Sequence, residues 1–514
     1  MKSDKKFFDA IIIGSGIGGL VTASQLAAKG AQVLVLEKYI IPGGSGGSFK
    51  RKGYTFDVGA SMIFGFGKKG YTNLLTRALK DVNEKCETIP DPVQLEYHLP
   101  GNFSISVDKN YKVFISKLSK RFPHEKEGIK KFYGACSNVF SCLDSMPLLS
   151  IEDPSYLLKV FFKAPLSCLG LARWLPVNAG DVARKFIKDP ELLKFIDIEC
   201  FCWSVMPALK TPMINAGMVF TDRHAGGINY PKGGVGKIAE KLVIGMERLG
   251  SEIRYKANVK EILLKDKKAV GVKLSNGEEI FSKIVVSNST RWDTFGLGDQ
   301  NKGLIRSDRV PKSEHKWSEI YKPSPSFVSI HLGVAKNLIR KDFNCHHIIV
   351  ENWDELENEK GVIFISIPTL LDSSLAPKDN HIIHAFTPSS IDKWENLTRE
   401  EYQKKKQTYY AFLIEKISKI IPNLEQNINH REIGTPRTHK KFLGRFKGSY
   451  GPIPNKKLFG LLPMPFNTTK IKNLYCVGDS CFPGQGLNAV AFSGYACAHK
   501  IGSKLNINSF NLPD

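Results

Sequence analysis

The chain of 514 residues is long enough for two or more packed regions. Its composition, with 42% hydrophobic, 24% charged and 10% aromatic residues, is that of a globular protein and excludes a disordered or fibrous one. The net charge of +23 suggests an anionic partner, because basic surfaces attract nucleic acids and anionic lipids alike. No nucleic-acid-binding motif accompanies the charge. A membrane surface is therefore favoured over nucleic acid, and a simple contribution to solubility is the third interpretation.

The cysteine pattern and the N-terminus predict a protein of a reducing compartment without a signal peptide. The ten cysteines follow no disulfide or metal-binding spacing, which predicts a reducing compartment, cysteines in the core and no metal site. The N-terminal apolar run is too short for a signal peptide and is expected to form the first strand. No stretch of 18 or more apolar residues occurs, so we expect no transmembrane helix.

The first recognisable element is a buried strand, residues 9–13, followed by a glycine-rich turn, a helix and a second strand that ends at Glu37. This order is typical of a dinucleotide-binding unit. Gly14 allows the tight turn, Gly16 lets a pyrophosphate approach the backbone, and Gly19 lets the helix pack on the strand. The helix N-terminus offers N–H groups to phosphates, and Glu37 can accept ribose hydroxyls. The predicted site residues of this unit are Gly14, Ser15, Gly16, Ile17, Gly18, Gly19, Glu37 and Lys38.

A second glycine-rich segment, residues 42–62 (PGGSGGSFKRKGYTFDVGASM), distinguishes FAD from NAD. Such a loop beyond the acid is unnecessary for NAD but suits the longer FAD. The segment resembles the FAD-dependent amine oxidase and phytoene desaturase superfamily. By that resemblance Glu37 holds the adenosine ribose, and the cofactor is lined by Gly43, Gly44 and Ser45. The residues expected near the flavin are Asp57, Val58, Gly59 and Ala60, with a turn or cap role as the alternative for Asp57.

The C-terminal stretch 474–490 (LYCVGDSCFPGQGLNAV) reads as a short apolar strand that stops at an acid and is followed by a helix. An acid at this strand end can accept a hydrogen bond from a ribityl hydroxyl, and a helix cap is the alternative. The stretch is similar to the closing motif of the same superfamily. The resemblance implies that Gly478 and Asp479 bind the cofactor. It also implies that the flavin ring is flanked by Gly486, Asn488, Ala489 and Val490.

The fold class follows from these two motifs and the segment between them. Residues 226–288 read as an amphipathic helix over 236–249 and four strands, with a hairpin signal at Asn276-Gly277. In the superfamily this unit completes the FAD domain, and Val259 lies against the adenine. We therefore predict an α/β protein in which a Rossmann-type, two-strand FAD-binding domain is assembled from three pieces and an α+β substrate domain is inserted discontinuously. The FAD domain is expected to comprise 1–85, 225–299 and 436–514, and the substrate and membrane-facing domain 86–224 and 300–435.

Two segments of the first insert indicate a hydrophobic substrate. Residues 155–176 alternate apolar blocks with Lys159, Lys163 and Arg173 and end near Trp174, a pattern that suits a helix lying in a membrane interface. An ordinary lid helix is the alternative. Residues 201–220 are apolar and rich in methionine, which favours a pliable hydrophobic pocket, or else plain core.

Three longer stretches, residues 40–66, 434–454 and 464–494, resemble the plant and cyanobacterial carotenoid isomerases (prolycopene isomerases). The resemblance runs from about residue 9 to 501. It implies that poly-cis lycopene is converted to all-trans lycopene with reduced FAD and no net electron transfer. It also implies a polyene substrate, a separate electron donor for the flavin, and a peripheral protein of a cyanobacterial, thylakoid or plastid-type membrane that faces a reducing compartment. Leu487-Asn488 departs from the expected pair of aliphatic residues.

Two other functions remain open from the sequence. A carotenoid desaturase or retinol-saturase-like oxidoreductase has the same scaffold, and a flavin-bearing carotenoid carrier without turnover is the second alternative. The stretch 434–454 contains Arg437, His439 and Arg445, but basic residues there suit phosphates or lipids equally well. The sequence therefore assigns no catalytic side chain.

Overall fold

The computed structural model describes residues 7–59, 61–68, 70–146, 152–298 and 302–507. Within these residues the strands β1 to β20 are, in chain order, Phe8–Ile13, Val33–Leu36, Ser48–Arg51, Tyr54–Asp57, Thr88–Pro90, Val93–Leu99, Phe103–Asp108, Asn229–Pro231, Glu252–Arg254, Val259–Lys265, Lys268–Leu274, Glu279–Ser287, Tyr321–Pro323, Ser326–Ala335, His346–Val350, Val362–Ser366, Asn380–Ser389, Ile428–Gly434, Pro452–Pro454 and Leu474–Cys476. The helices α1 to α15 are Ile17–Ala27, Leu74–Asp81, Tyr111–Arg121, Lys126–Asp144, Pro154–Lys163, Pro165–Ala172, Ala179–Phe186, Pro190–Ser204, Met213–Ala225, Gly236–Arg248, Arg291–Phe295, Lys312–Ile320, Arg399–Ser418, Pro436–Leu443 and Leu487–Leu505.

The first sheet has five parallel strands in the order β9-β2-β1-β12-β20. The first half of β12 also pairs antiparallel with β11, which in turn pairs with β10. β1 and β2 are apolar and almost wholly buried, because helices cover the sheet. α1 and α15 approach each other so closely that a Cβ on Gly494 would lie 2.8 Å from the Cβ of Val21. The mixed α/β fold expected from the sequence is confirmed.

The second sheet has seven strands in the order β18-β14-β17-β16-β15-β6-β7. Its pairs are antiparallel except for β15 and β6, which run parallel. α13 covers one face and buries Leu413 and Ile417 together with Trp394 in an apolar core of their own. This sheet stands beside the β3–β4 hairpin, since Nε2 of His331 on β14 lies 3.0 Å from the backbone carbonyl oxygen of Asp57 on β4.

A helical region built from α3 to α9 adjoins the second sheet and contains a buried ion pair. Nη1 of Arg223 on α9 lies 2.6 Å from Oε1 of Glu199 on α8, and both side chains are at most 1% exposed. Tyr133 on α4 donates its hydroxyl to the same carboxylate. The negative charge of Glu199 raises the pKa of Arg223 further above its already high value, so the guanidinium remains charged.

The predicted interfacial segment 155–176 forms α5 and α6. No single helix of the described ranges is both long and apolar enough to cross a membrane. α5 and α6 meet that description only as a pair, and the chain bends by 115° between them. Each of the ten cysteines is a free thiol, and seven of them are buried.

The buried ion pair predicts a stability effect. Replacing the cation in Arg223→Met should lower the free energy of unfolding by about 3–5 kcal/mol, because Glu199 is then left as an uncompensated charge in the core. The double variant Glu199→Met/Arg223→Met should recover most of that loss. Urea unfolding of the three proteins measures both steps, and a double variant as unstable as the single one would contradict this account.

Candidate functional site

A cavity of about 800 Å³ lies along the carboxyl ends of β1, β2 and β12, the usual ligand site of a parallel sheet. We call it the glycine-loop cavity. Its far wall is formed by β14, β18 and α14. The predicted site residues that line it are Gly14, Gly16, Glu37, Lys38, Gly44, Ser45, Val58 and Val259. The structure thus brings predicted residues between 14 and 58 together with Val259, about two hundred residues further along the chain.

The glycine turn between β1 and α1 has no space for side chains. Gly14 has a φ of +90°, as the predicted tight turn requires. A Cβ on Gly16 would lie 2.6 Å from Nδ2 of Asn288, and one on Gly19 would lie 2.5 Å from the carbonyl oxygen of Gly14. A Cβ on Gly18 would lie 3.2 Å from the backbone of Gly478. The turn therefore leaves the α1 N-terminus open to a ligand, while Ile17 next to it is buried in the core.

Glu37, at the end of β2, folds back across this turn. One carboxylate oxygen accepts the N–H of Ser15 at 2.8 Å and its hydroxyl at 2.5 Å. The other accepts the N–H of Tyr39 at 2.7 Å. Glu37 and Lys38 both line the cavity. The acid is thus held beside the glycine turn, at the position where a nucleotide ribose is bound in folds of this type.

The second glycine segment supports the cavity from the other side. Gly43 has a φ of +105° and donates its N–H to the carbonyl of Ser15 at 2.9 Å. Gly44 and Ser45 form part of the cavity wall. Gly59 packs on this segment, because a Cβ there would lie 2.8 Å from the carbonyl oxygen of Ser45. Ala60, the last residue predicted here, lies outside the described residues.

Asp57 does not line the glycine-loop cavity. Its buried carboxylate accepts hydrogen bonds from Tyr230 Oη at 2.8 Å, Ser61 Oγ at 2.9 Å, Val235 N at 2.9 Å and Ser48 Oγ at 3.0 Å. Burial raises the pKa of this carboxyl despite the four donors. Asp57 therefore joins β4 to the segment before α10.

The C-terminal motif reaches both the glycine turn and a second cavity. The N–H of Gly478 donates to Ser493 Oγ at 3.2 Å, beside Gly18. Asp479 is ion-paired with Arg445, which itself lines the glycine-loop cavity. Further along, the start of α15 contributes to the second cavity, described below, with Gly486, Asn488 and Ala489, whereas Val490 is half-buried beside the core.

Several lining residues were not predicted from the sequence. Asn288, Ser289 and Thr290 follow β12 and line the glycine-loop cavity. A signal for them exists, because an apolar strand that ends in polar residues is typical of a ligand-binding sheet edge. His331 and His439 also line it, but no local pattern marks them.

The charges around the glycine-loop cavity suit an anionic ligand. Burial lowers the pKa of His331 to about 3 and that of His439 to about 4, so both are neutral at pH 7. The described wall residues also include five lysines and arginines against three acids. The cations are Lys38, Arg51, Lys260, Lys302 and Arg445, and the acids are Glu37, Asp293 and Glu432. With the open α1 N-terminus and the glycines that leave no room for a Cβ, this cavity fits a dinucleotide.

The second cavity, of about 600 Å³, is lined mostly by apolar side chains, and we call it the apolar cavity. Its walls combine both segments that the sequence singled out as hydrophobic. From 155–176 come Leu157, Val160, Cys168, Leu171, Ala172 and Leu175, and from 201–220 come Cys202, Trp203, Ile214, Asn215, Met218 and Val219. Residues 486–489 of the C-terminal motif also line it, and Asp479 of the same motif is ion-paired with Arg445 in the wall of the glycine-loop cavity.

The comparisons with known proteins agree with this geometry. A family model described as flavin containing amine oxidoreductase matches residues 17–501. The chain is 56% identical over 502 residues to "Prolycopene isomerase, chloroplastic" of Daucus carota, which covers 97% of this chain and 81% of the relative. It is 55% identical over 505 residues to the protein of the same name from Arabidopsis thaliana, which covers 98% of this chain and 84% of the relative.

Among solved structures, cyclohexylamine oxidase from Brevibacterium oxydans IH-35A matches with a TM-score of 0.62 over 98% of this chain and 100% of that chain. At 13% sequence identity this likeness concerns the fold alone. The resemblance noted in the motifs is confirmed by the relatives. The chain belongs to the flavin containing amine oxidoreductase family and, within it, to the prolycopene isomerases.

Proposed function

We propose that the protein converts poly-cis lycopene to all-trans lycopene with FAD in its reduced form, so that no electrons are transferred overall. The observation that supports this most directly is that one motif contacts both cavities. Residues 486–489 line the apolar cavity, and Asp479 is ion-paired with Arg445 in the wall of the glycine-loop cavity. A long hydrocarbon bound there would end beside the cofactor. The names of the relatives at 55–56% identity identify the reaction.

One cavity would bind the dinucleotide and the other would bind the substrate. The glycine turn, Glu37 and the lysines and arginines of the wall would hold the dinucleotide, with Val259 against the adenine. Reduced flavin supplies electron density that can stabilise charge in the polyene. The apolar cavity would orient the substrate and exclude water and oxygen. A separate electron donor would keep the flavin reduced.

The domain assignment is part of this proposal. The five parallel strands fall within 1–85, 225–299 and 436–514, the pieces assigned to a Rossmann-type FAD domain. Every strand of the seven-stranded sheet falls within 86–224 or 300–435, the pieces assigned to the substrate domain. The sheet pairings thus support one nucleotide-binding unit with a discontinuous insertion.

We also propose that α5 and α6 dock on an anionic membrane and admit the substrate. Their inner side chains line the apolar cavity, while their outer apolar side chains face solvent; Phe162 is 75% exposed and Leu166 is 83% exposed. A neighbouring loop adds Phe459, 76% exposed, next to Leu461, whose N–H donates to Leu175 O at 3.0 Å. Exposed lysines at 159 and 163 would face lipid phosphates.

This docking surface replaces the anchor that the sequence suggested. Trp174 is half-buried, packs against the core and lies with Nε1 3.4 Å from Oδ1 of Asn138. The guanidinium of Arg173 stacks on its ring at 4.8 Å. Trp174 is therefore a packing residue, and the exposed side chains of α5 and α6 are the ones free to enter lipid. The protein would then be a peripheral protein of a plastid or cyanobacterial membrane facing a reducing compartment.

The reaction is tested by an anaerobic assay with poly-cis lycopene in liposomes, comparing oxidised with pre-reduced enzyme. All-trans product of unchanged mass should form only with the reduced enzyme. Chromatography with mass detection separates the alternatives. A change of mass by hydrogen pairs would indicate a desaturase or saturase, and stoichiometric pigment binding without a change of isomer would indicate a carrier.

The cofactor site is tested by Gly16→Ala with and without Asn288→Ala. A methyl group at Gly16 collides with Asn288 at 2.6 Å and also fills space next to the proposed pyrophosphate. Purified Gly16→Ala should retain less than about a tenth of the flavin, and the double variant should not recover it, because the second obstruction remains. Absorbance per mole of protein measures the retained flavin. Recovery in the double variant would mean that Gly16 only makes room for Asn288.

Membrane docking is tested by Phe162→Asp/Leu166→Asp, measured as sedimentation with vesicles rich in phosphatidylserine. Binding should weaken by more than about tenfold, because each such side chain gains roughly 1.5–3 kcal/mol on leaving water. The matched control is Val113→Asp/Ile244→Asp, which adds the same charge at exposed apolar positions on α3 and α10. If both double variants lost the same amount of vesicle binding, the effect would be one of net charge, and α5 and α6 would not be the docking surface.

A further inference from the structure

Among the described residues that line the apolar cavity, Asp222 carries the one carboxyl group. It belongs to α9, and the helical period places it on the face that also presents Ile214, Asn215, Met218 and Val219 to the cavity. The other wall residues close to this face are apolar or aromatic, including Phe64 and Trp203, whose rings meet edge to face at 5.1 Å. An acid in such surroundings is costly to bury.

The side chain of Asp222 is only half satisfied. Oδ1 accepts the N–H of Gly226 at 3.2 Å, as part of the turn that ends α9. Oδ2 is buried and has no hydrogen-bond partner, although the residue as a whole is only 1% exposed. A buried polar oxygen without a partner requires an explanation, since native proteins satisfy nearly all such groups. The structural role of Asp222 uses one oxygen and leaves the other for the cavity.

The surroundings also determine its charge. Burial and the neighbouring carboxyl of Asp144 on α4 raise the pKa of Asp222 to about 7. Two histidines nearby are neutral at pH 7: His224 on α9 is half-buried and His347 on β15 is buried, and partial or full burial lowers their pKa values to about 4. Arg223 next to it is engaged by Glu199. A large fraction of Asp222 is thus a neutral acid at pH 7, with a proton to give.

We propose that Asp222 is the acid–base residue of the isomerisation. Its Oδ2–H would donate the proton to one carbon of a cis double bond, and the π electrons of that bond form the new C–H bond. The polyene then carries a delocalised positive charge, and the former double bond rotates as a single bond. The same carboxylate takes a proton back, the double bond re-forms in the trans geometry, and no oxidant or reductant is consumed. This inference rests on the function proposed above.

The cavity suits this step in three respects. Aromatic rings such as Trp203 and Phe64 stabilise a nearby cation through their π faces. The Asp222 carboxylate remains as the counter-ion after it has donated its proton, in surroundings where such an attraction is strong. The apolar lining keeps water from adding to the cation, which would otherwise give an alcohol.

The deciding variant is Asp222→Asn, which keeps an oxygen for the N–H of Gly226 but cannot donate a proton as an acid. With reduced enzyme and poly-cis lycopene in liposomes, kcat should fall by roughly 10²–10⁴-fold while KM stays within about threefold. The matched control is Asp197→Asn on α8, whose carboxylate accepts the N–H of Ala208 at 2.8 Å but does not line the cavity. Its kcat should stay within about twofold of wild type.

A pH profile supplies an independent readout that needs no variant. The protonated form is the active one, so the wild-type rate should fall as the pH rises through about 7, and the residual rate of Asp222→Asn should show no such fall. A wild-type rate without this fall, or an Asp222→Asn enzyme with more than a third of wild-type kcat, would overturn the inference and leave the isomerase function standing. A wild-type enzyme that forms no all-trans product would remove both.

Discussion

The glycine turn that follows β1 is the constraint on which the rest of the structure depends. Asn288 from the end of β12 occupies the space beside Gly16, Gly18 and Gly19, and Gly478 from the end of β20 stands against Gly18. A Cβ on Gly16 or Gly19 would approach neighbouring atoms to less than 3 Å, so the turn has no room for side chains there. The three strand ends are therefore held at one level, and the open α1 N-terminus faces a cavity whose walls come from both sheets.

Because of that arrangement, the charged lining and the apolar lining belong to two different cavities. Charged side chains and the α1 N-terminus line the glycine-loop cavity, whereas helices α5, α6, α8 and α9 form much of the wall of the apolar cavity. Charge needed to bind phosphates is thus kept away from the hydrocarbon. The lining of the apolar cavity is mostly apolar, so the carboxyl group of Asp222, with one oxygen lacking a partner, is the one acidic group among the lining residues that the structure describes.

Much of this could be predicted from the sequence because the relevant patterns are local. The β1–α1–β2 unit and the β20–α15 unit are contiguous, and their periodicity and glycines indicated strands, helices and ligand contacts directly. Asp57 could not be placed in this way. It sits in a motif beside ligand-lining neighbours, yet its partners Tyr230 and Val235 lie more than 170 residues away and turn its carboxylate inward. The wall histidines and the exposed side of α5 and α6 likewise depend on contacts between distant segments, which no local period encodes.

The position of β20 in the chain has a consequence for how the protein is made. β12 has an unpaired edge over residues 285–287 until residues 474–476 are available, and α1 lacks the helix that packs against it until α15 has formed. During synthesis the parallel sheet therefore remains open at one side while nearly two hundred residues of the other sheet and its helices emerge from the ribosome. An open strand edge attracts other strands. The glycine-loop cavity also needs residues 432–445 for its wall, so it is complete only late in synthesis.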